Sequence, residues 1–212
     1  VLVALLGVPV TVMFNILEFQ TSAKLVGQRF SFSKAAEISI IGSVANMLPI
    51  PGGTMVRVAA LKAGGASLRK GTAATLLTSG LWVGMAFLYS GIWIFWLEIA
   101  TFNLGFLFAT VGISSLFICT LLSLKLLNDR SIIVRLSIIK LALVVLDAAR
   151  ILGCLLTVSH AASFSQASVL AVSSVVGAAV AASLNRIIGL SIMAPVALYL
   201  ALRHNSTTTS KT

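Results

Sequence analysis

An uncharged and largely apolar run from Ala73 to Leu97 restricts the folds that are open to this chain. A helix needs about 20 apolar residues to cross the hydrocarbon core of a bilayer, and this run exceeds that length. The chain of 212 residues is 58% hydrophobic and 9% charged, whereas an average soluble domain is about 25% charged. Because so little charge is available to face water, the sequence predicts an all-α, polytopic bundle of membrane helices.

Three further apolar runs are predicted to cross the membrane, namely Val1 to Leu17, Leu104 to Leu124 and Ile138 to Val158. Most basic residues lie in clusters between the runs, and the positive-inside rule places such clusters in the cytoplasm. The net charge of +10 therefore indicates membrane orientation and not a nucleic-acid partner. Within the run from Ala73 to Leu97, Gly80 and Gly84 form a G-x-x-x-G face for close helix packing.

The last apolar region, Ala167 to Leu202, is too long for one span and marginal for two. It is either a second hairpin that enters from outside and continues into a half-length helix, or two short spans that meet at a cytoplasmic turn. We interpret residues 1–202 as a single transmembrane domain and residues 203–212 as a polar, disordered tail.

The apolar run Ala35 to Leu48 is too short to cross a bilayer, because about 14 residues rise only about 21 Å as a helix. It ends in the sequence Pro49-Ile50-Pro51-Gly52-Gly53, which stops a helix. Basic clusters flank the segment, so both of its ends are expected in the cytoplasm. The pattern predicts a re-entrant helical hairpin, whose broken backbone must be buried in protein or face a wet cavity.

The tip of this hairpin is the first candidate binding site. A helix that starts near Thr54 would direct its bare N-terminal amides, which carry partial positive charge, toward the break. Arg57 adds a full charge one turn later. These groups suit a phosphate headgroup, although an ordinary interfacial loop would have the same composition. The candidate substrate-binding residues here are Asn46, Pro49, Pro51, Gly52, Gly53, Thr54 and Arg57.

Charged residues inside the later apolar runs form the second and third candidates. Asp147 and Arg150 share a helix face at i, i+3, and Lys140 lies two turns back on that face. A charge in hydrocarbon costs at least about 2.5–3.5 kcal/mol on insertion scales, so the pair must face the bundle interior. It is either a structural ion pair or the lining of a substrate path or proton-coupling site. Arg186 either snorkels to the interface or faces a central cavity as a further substrate-binding residue.

The sequence carries none of the motifs that mark a catalytic or metal site. There is no G-x-S-x-G, no H-E-x-x-H, no Walker A motif and no cluster of paired carboxylates. Cys119 and Cys154 lie in apolar runs without metal-ligand spacing. We therefore expect no enzymatic activity, no cofactor and no metal.

The segment from Asn46 to Arg57 resembles the membrane domain of the lysylphosphatidylglycerol synthase and flippase family. The family pattern runs as Asn, two apolar residues, Pro, then Gly-Glu, with Arg three positions past the Glu. The residues in register with it are Asn46, Pro49, Gly53 and Arg57. Thr54 replaces the Glu, and the similarity extends over roughly residues 35 to 97. The resemblance implies a flippase-like integral membrane protein that is short at its N-terminus and lacks the soluble aminoacyl-transfer domain of the synthases.

The leading interpretation is a lipid flippase or translocase in the cell membrane that handles an anionic or aminoacylated phospholipid or a polyprenyl-phosphate lipid. The alternatives are a non-transporting membrane scaffold or partner subunit and a small-solute secondary transporter. Membrane lipids are the expected partners, nucleic acid is not, and a homo-oligomer is compatible with the sequence. A cavity open sideways to the bilayer would favour a lipid substrate, and a sealed vestibule would favour a soluble one.

Overall fold

Helices make up nearly all of the described structure. The computed structural model describes residues 2–46, 52–97, 102–126, 130–158 and 163–170, and these residues contain no strand. The helices in chain order are α1 Leu2–Lys24, α2 Phe32–Ala45, α3 Gly52–Ala63, α4 Leu68–Leu97, α5 Phe102–Leu126, α6 Arg130–Val158 and α7 Phe164–Leu170. The predicted all-α class is confirmed for this part of the chain.

The helices continue beyond the apolar runs that predicted them. Helix α1 ends at Lys24 and not near Leu17, and α6 begins at Arg130 and not at Ile138. An apolar run marks only the stretch that avoids water, and the helix continues through Gln, Lys and Arg because these residues are good helix formers. As a consequence Glu18, predicted to lie where the first span ends, lies inside α1.

A glycine in the left-handed region ends α1. Gly27 has a φ of 77°, which residues with a Cβ atom rarely adopt. Next to it the Gln28 amide donates to the Ala23 carbonyl at 3.0 Å, and the Gly27 amide donates to the Lys24 carbonyl at 3.1 Å. This is the hydrogen-bond pattern of a Schellman motif. Helix α1 therefore stops in a tight turn, from which the chain leads to α2.

Helices α2 and α3 form an antiparallel pair. At one end Gly52 approaches α2 so closely that a Cβ atom on it would lie 2.5 Å from the Ala45 carbonyl oxygen. At the other end a Cβ atom on Gly64 would lie 2.9 Å from the ring of Phe30. Since both ends of the pair meet, the two helices run in opposite directions. Residues 47–51, between the two helices, lie outside the described residues.

An apolar core joins this hairpin to α1. Its buried members come from all three helices and include Ile16, Phe19, Ala35, Ile38 and Leu61. The Ser39 hydroxyl also donates to the carbonyl of Asn15 at 3.1 Å. This directional contact fixes how α2 is placed along α1, which apolar packing alone would leave less well defined.

Helices α4 and α5 pack through glycines, as the G-x-x-x-G pattern predicts. A Cβ atom on Gly84 would lie 3.2 Å from the carbonyl oxygen of Gly112, and one on Gly112 would lie 2.6 Å from the backbone nitrogen of Leu88. The Ser115 hydroxyl donates to the Gly80 carbonyl at 3.0 Å. Backbones that approach this closely leave no space for larger side chains. The predicted contact face is confirmed.

Helices α4 and α5 are also long and apolar enough to cross a membrane, over Leu68–Trp96 and Gly105–Ser123. Many apolar side chains of α5 are exposed; Phe117, for example, is 63% exposed and Ile118 is 56% exposed. An extended apolar surface of this kind marks contact with lipid or with another protein. Together, the two helices indicate a membrane protein.

Candidate functional site

A polar cavity of about 520 Å³, the central cavity, lies between α1, the α2–α3 hairpin, α4 and α6. Helix α1 packs against α2 and α6, α3 packs against α4, and α4 packs against α6, so these helices surround it. Three of the helices contribute residues three or four positions apart, a spacing that places them on one helix face. These residues are Thr11, Asn15 and Glu18 on α1, Thr75, Ser79 and Trp82 on α4, and Lys140, Leu143 and Asp147 on α6.

Glu18 is buried in the wall of the central cavity and binds two cations. Nζ of Lys140 lies 2.7 Å from Oε2 of Glu18, and Nη1 of Arg57 donates to Oε1. The side chain of Glu18 is 1% exposed, that of Lys140 is 6% exposed and that of Arg57 is 16% exposed. Removing a charge from water costs several kcal/mol even after relaxation, unless the charge is paired. The three side chains therefore depend on one another, and they join α1, α3 and α6.

Asn46 caps α3 from the end of α2. Its side-chain oxygen accepts a hydrogen bond from the Gly53 amide at 3.0 Å. A Cβ atom on Gly53 would collide with the Asn46 side-chain amide, so this contact requires glycine. The expectation that the N-terminal amides of α3 are bare is therefore wrong at Gly53, whereas the predicted helix start near Thr54 agrees with the start of α3 at Gly52. The partial positive charge of this helix end still lies beside the central cavity, which Thr54 lines.

Asp147 and Arg150 lie one turn apart on α6, as their spacing predicts. Nη1 of Arg150 lies 3.9 Å from Oδ1 of Asp147 and donates to the Thr11 hydroxyl at 3.3 Å. The methylene groups of Arg150 contact Gly7 of α1, where no side chain obstructs them. Asp147 lines the central cavity, whereas Arg150 is only 5% exposed. The pair thus ties α6 to α1 and contributes its carboxylate to the cavity wall.

The charges in and beside the central cavity do not cancel. The lining acids Glu18 and Asp147 balance the lining bases Arg57 and Lys140, and Arg150, buried outside the lining beside Asp147, adds one formal positive charge. The N-terminus of α3 adds a partial positive charge. In a cleft with low-dielectric walls an excess of one sign attracts the opposite sign. This arrangement is suited to binding an anionic group.

The hairpin and α6 bring together most of the binding residues predicted from the sequence. Those that line the central cavity are Asn46, Gly53, Thr54, Arg57 and Asp147. Gly52 and Arg150 are buried outside its described lining. The predictions for Pro49, Pro51 and Arg186 fall outside the described residues, as do both alternatives for the fold of residues 171–202.

Glu18 and Lys140 are site residues that the sequence interpretation does not include. It assigns Glu18 to the end of a span, and it places Lys140 on the helix face of Asp147 and Arg150 without making it a binding residue. A signal was available in the sequence, because Thr11, Asn15 and Glu18 recur at i, i+4 and i+7 in an otherwise apolar run. A polar stripe of this kind indicates a face that points to the interior of a bundle.

Among the residues that the structure describes, no three His, Cys, Asp or Glu side chains lie together as metal ligands would. A scan against protein-family models gives no match to the chain, and neither does a search of curated proteins. The resemblance of residues 46–57 to the flippase family therefore stays a prediction, and the central cavity is the feature from which a function can be proposed.

Proposed function

We propose that the chain is a multi-pass cell-membrane protein of the flippase or translocase type, whose central cavity receives the anionic headgroup of a phospholipid or polyprenyl-phosphate lipid. The observation that carries the proposal is the burial of Glu18 between Arg57 and Lys140. Ionisable residues inside a membrane bundle are costly, and they typically mark the path of a substrate or ion. The positive charge that Arg150 and the N-terminus of α3 add beside the cavity favours an anionic substrate.

In this proposal α4 and α5 cross the bilayer, and α2 and α3 form a re-entrant hairpin. The 14 residues of α2 and the 12 residues of α3 rise about 21 Å and 18 Å, which is less than the roughly 30 Å of the hydrocarbon core. The apolar side of the hairpin packs on α1, and Asn46 and Gly53, on either side of the undescribed residues 47–51, line the polar central cavity. Irregular backbone at membrane depth requires such surroundings.

An anionic headgroup would compete with Glu18 for its two cations. Phosphate oxygens match the guanidinium of Arg57 and the ammonium of Lys140 as well as a carboxylate does. Exchange of one anion for the other keeps both bases paired, and the displaced Glu18 must then take up a proton or reach water, because a buried carboxylate without a partner is costly. Arg57 is the more exposed of the two, so we expect the headgroup to engage it first.

Transport in reconstituted vesicles tests this proposal. Fluorescent phosphatidylglycerol or phosphatidylcholine is bleached by an impermeant reductant only in the outer leaflet, so movement between leaflets appears as additional bleaching. We expect the protein to move phosphatidylglycerol in preference to phosphatidylcholine. The Arg57→Gln variant should lower the rate of phosphatidylglycerol movement at least about tenfold, because a hydrogen bond to a charged group contributes about 1.5–3 kcal/mol.

The matched control is Lys34→Gln, which removes an exposed base that pairs with Glu37 at 2.9 Å on the surface of α2. This variant should retain the rate of the unmodified protein. Equal rates for Arg57→Gln and Lys34→Gln would remove Arg57 from the substrate path and overturn the proposal in this form.

A double variant separates transport from a purely structural role of the ion pairs. Glu18→Gln with Lys140→Gln removes one charge of each sign and leaves Arg57 in place. Replacing both partners of a buried pair is often neutral for stability. We therefore expect a folded protein whose phosphatidylglycerol transport stays impaired. Full transport by a stable double variant would assign the pair of Glu18 and Lys140 a structural role only and remove it from the substrate path.

The packing around the central cavity favours one second candidate, a secondary transporter of a small soluble anion. Helix α1 contacts α2 and α6, and α4 contacts α3 and α6, so the described helices form a ring of contacts around the cavity. A soluble anion fits within such a ring, whereas a lipid must leave its acyl chains outside. Uptake of labelled glycerophosphate by the same vesicles, without any movement of labelled lipid, would select this candidate.

A further inference from the structure

A second and larger cavity of about 760 Å³, the basic cavity, lies between the end of α1 and the start of α6. Its charged lining residues are Lys24, Arg29 and Arg135, and its described lining contains no acid. Within the part of the chain that the structure describes, none of these three bases pairs with a carboxylate. In this respect they differ from Arg57 and Lys140 of the central cavity.

The loop that carries Arg29 is held in place by hydrogen bonds on both sides. The Gln28 amide donates to the Ala23 carbonyl at 3.0 Å, and Nε2 of Gln20 donates to the Phe30 carbonyl at 3.0 Å. Both bonds connect the loop back to α1. The backbone that carries Arg29 is therefore held in place by the protein itself, and the side chains of Lys24, Arg29 and Arg135 are exposed and accessible to an anion.

The basic cavity lies at the level where the membrane-length part of α5 ends. Ile132, which lines it, belongs to one apolar cluster with Cys119 of α5. Cys119 lies within two turns of Lys125, the first charged residue along α5. If α5 crosses the bilayer as proposed above, the basic cavity opens where hydrocarbon gives way to headgroups.

We propose that the basic cavity is a binding site for a phosphate group, separate from the central cavity. Three bases with no acid in the described lining, together with the amide side chains of Gln20 and Gln28, offer donors to phosphate oxygens. A lipid headgroup and free phosphate share this chemistry, and the position at the membrane surface makes the headgroup the expected source. This site rests on the membrane placement of α5 and does not depend on transport through the central cavity.

Lipid retention by the purified protein tests the site. Native mass spectrometry counts the lipids retained after addition of phosphatidylglycerol or phosphatidylcholine in detergent, with and without inorganic phosphate. The test variant carries Lys24→Gln, Arg29→Gln and Arg135→Gln. The control carries Lys62→Gln, Arg69→Gln and Lys70→Gln, which removes the same charge from exposed positions outside the basic cavity. Unchanged thermal unfolding of both variants shows that each is folded.

We expect the test variant to bind phosphatidylglycerol at least about tenfold more weakly than the control, because juxtamembrane bases attract anionic lipid and only one variant removes those of the cavity. Phosphatidylcholine should bind weakly to all forms. Retention that resists inorganic phosphate assigns the site to a lipid headgroup, and displacement by phosphate alone assigns it to the free anion. Equal phosphatidylglycerol binding by the test and control variants would overturn the site, whatever the outcome of the transport assay.

Discussion

Nζ of Lys140 lies 2.7 Å from Oε2 of Glu18, and this contact joins α6 to α1 in the interior of the bundle. The other carboxylate oxygen of Glu18 accepts a hydrogen bond from Arg57 of α3. One acid therefore sets the relative positions of three helices. Removal of this acid would leave two largely buried bases without their counter-ion, whereas removal of one base would leave the acid still paired.

We predict that Glu18→Gln destabilises the protein by about 3–5 kcal/mol, because it removes one partner of a buried ion pair and leaves the other charge buried. Thermal unfolding in detergent, followed by circular dichroism, measures the effect. The matched control is Glu37→Gln, which breaks a surface pair with Lys34 and should cost at most about 1 kcal/mol. Equal losses in the two variants would show that the Glu18 cluster does not hold the helices together.

The hydrogen bond from the Gly53 amide to Asn46 gives a second prediction. Asn46→Ala should destabilise the protein by about 1 kcal/mol, the usual effect of losing a side-chain cap at a helix N-terminus. Asn46→Asp keeps the acceptor and adds a negative charge where the helix end favours one, so its unfolding temperature should match or exceed that of the unmodified protein. Comparable losses in both variants would indicate that the capping contact does not contribute to stability.

Several features of the fold could be predicted from local pattern alone. Apolar length predicts α4 and α5, and the spacing of Gly80 and Gly84 predicts the face on which the two helices meet. The proline and glycine residues after Asn46 predict the helix break, since these residue types restrict the backbone locally. Each of these inferences needs only residues that are close together in the chain.

The partners of Arg57 could not be predicted in the same way. Its counter-ion, Glu18, comes from α1 and is followed by the polar segment that suggested the end of a helix. Which of the basic residues is buried depends on how α1, α3 and α6 pack, and no local spacing encodes that. The polar stripe of Thr11, Asn15 and Glu18 indicates an inward face, but it does not identify the bases that meet it.

The close approach of α4 and α5 gives a third prediction. A Cβ atom on Gly112 would lie 2.6 Å from the Leu88 backbone nitrogen, so Gly112→Ala must push the two helices apart and should cost about 1–3 kcal/mol. The control is Gly42→Ala, because a Cβ atom there would have its nearest contact at 3.8 Å. This second change should be neutral or stabilising by up to about 1 kcal/mol, since Ala is the better helix former. A loss of similar size at Gly42 would argue against steric separation as the cause.

The ion pair on α6 gives the last prediction. Asp147→Asn removes a carboxylate beside Arg150, which is 5% exposed, and should cost about 1–3 kcal/mol of stability. Adding Arg150→Gln removes the buried charge as well, so the double variant should regain most of that loss. Because Asp147 lines the central cavity, we expect lipid movement in vesicles to stay reduced in the double variant although its unfolding temperature recovers. Recovery of both properties would assign the pair a structural role only and remove Asp147 from the substrate path.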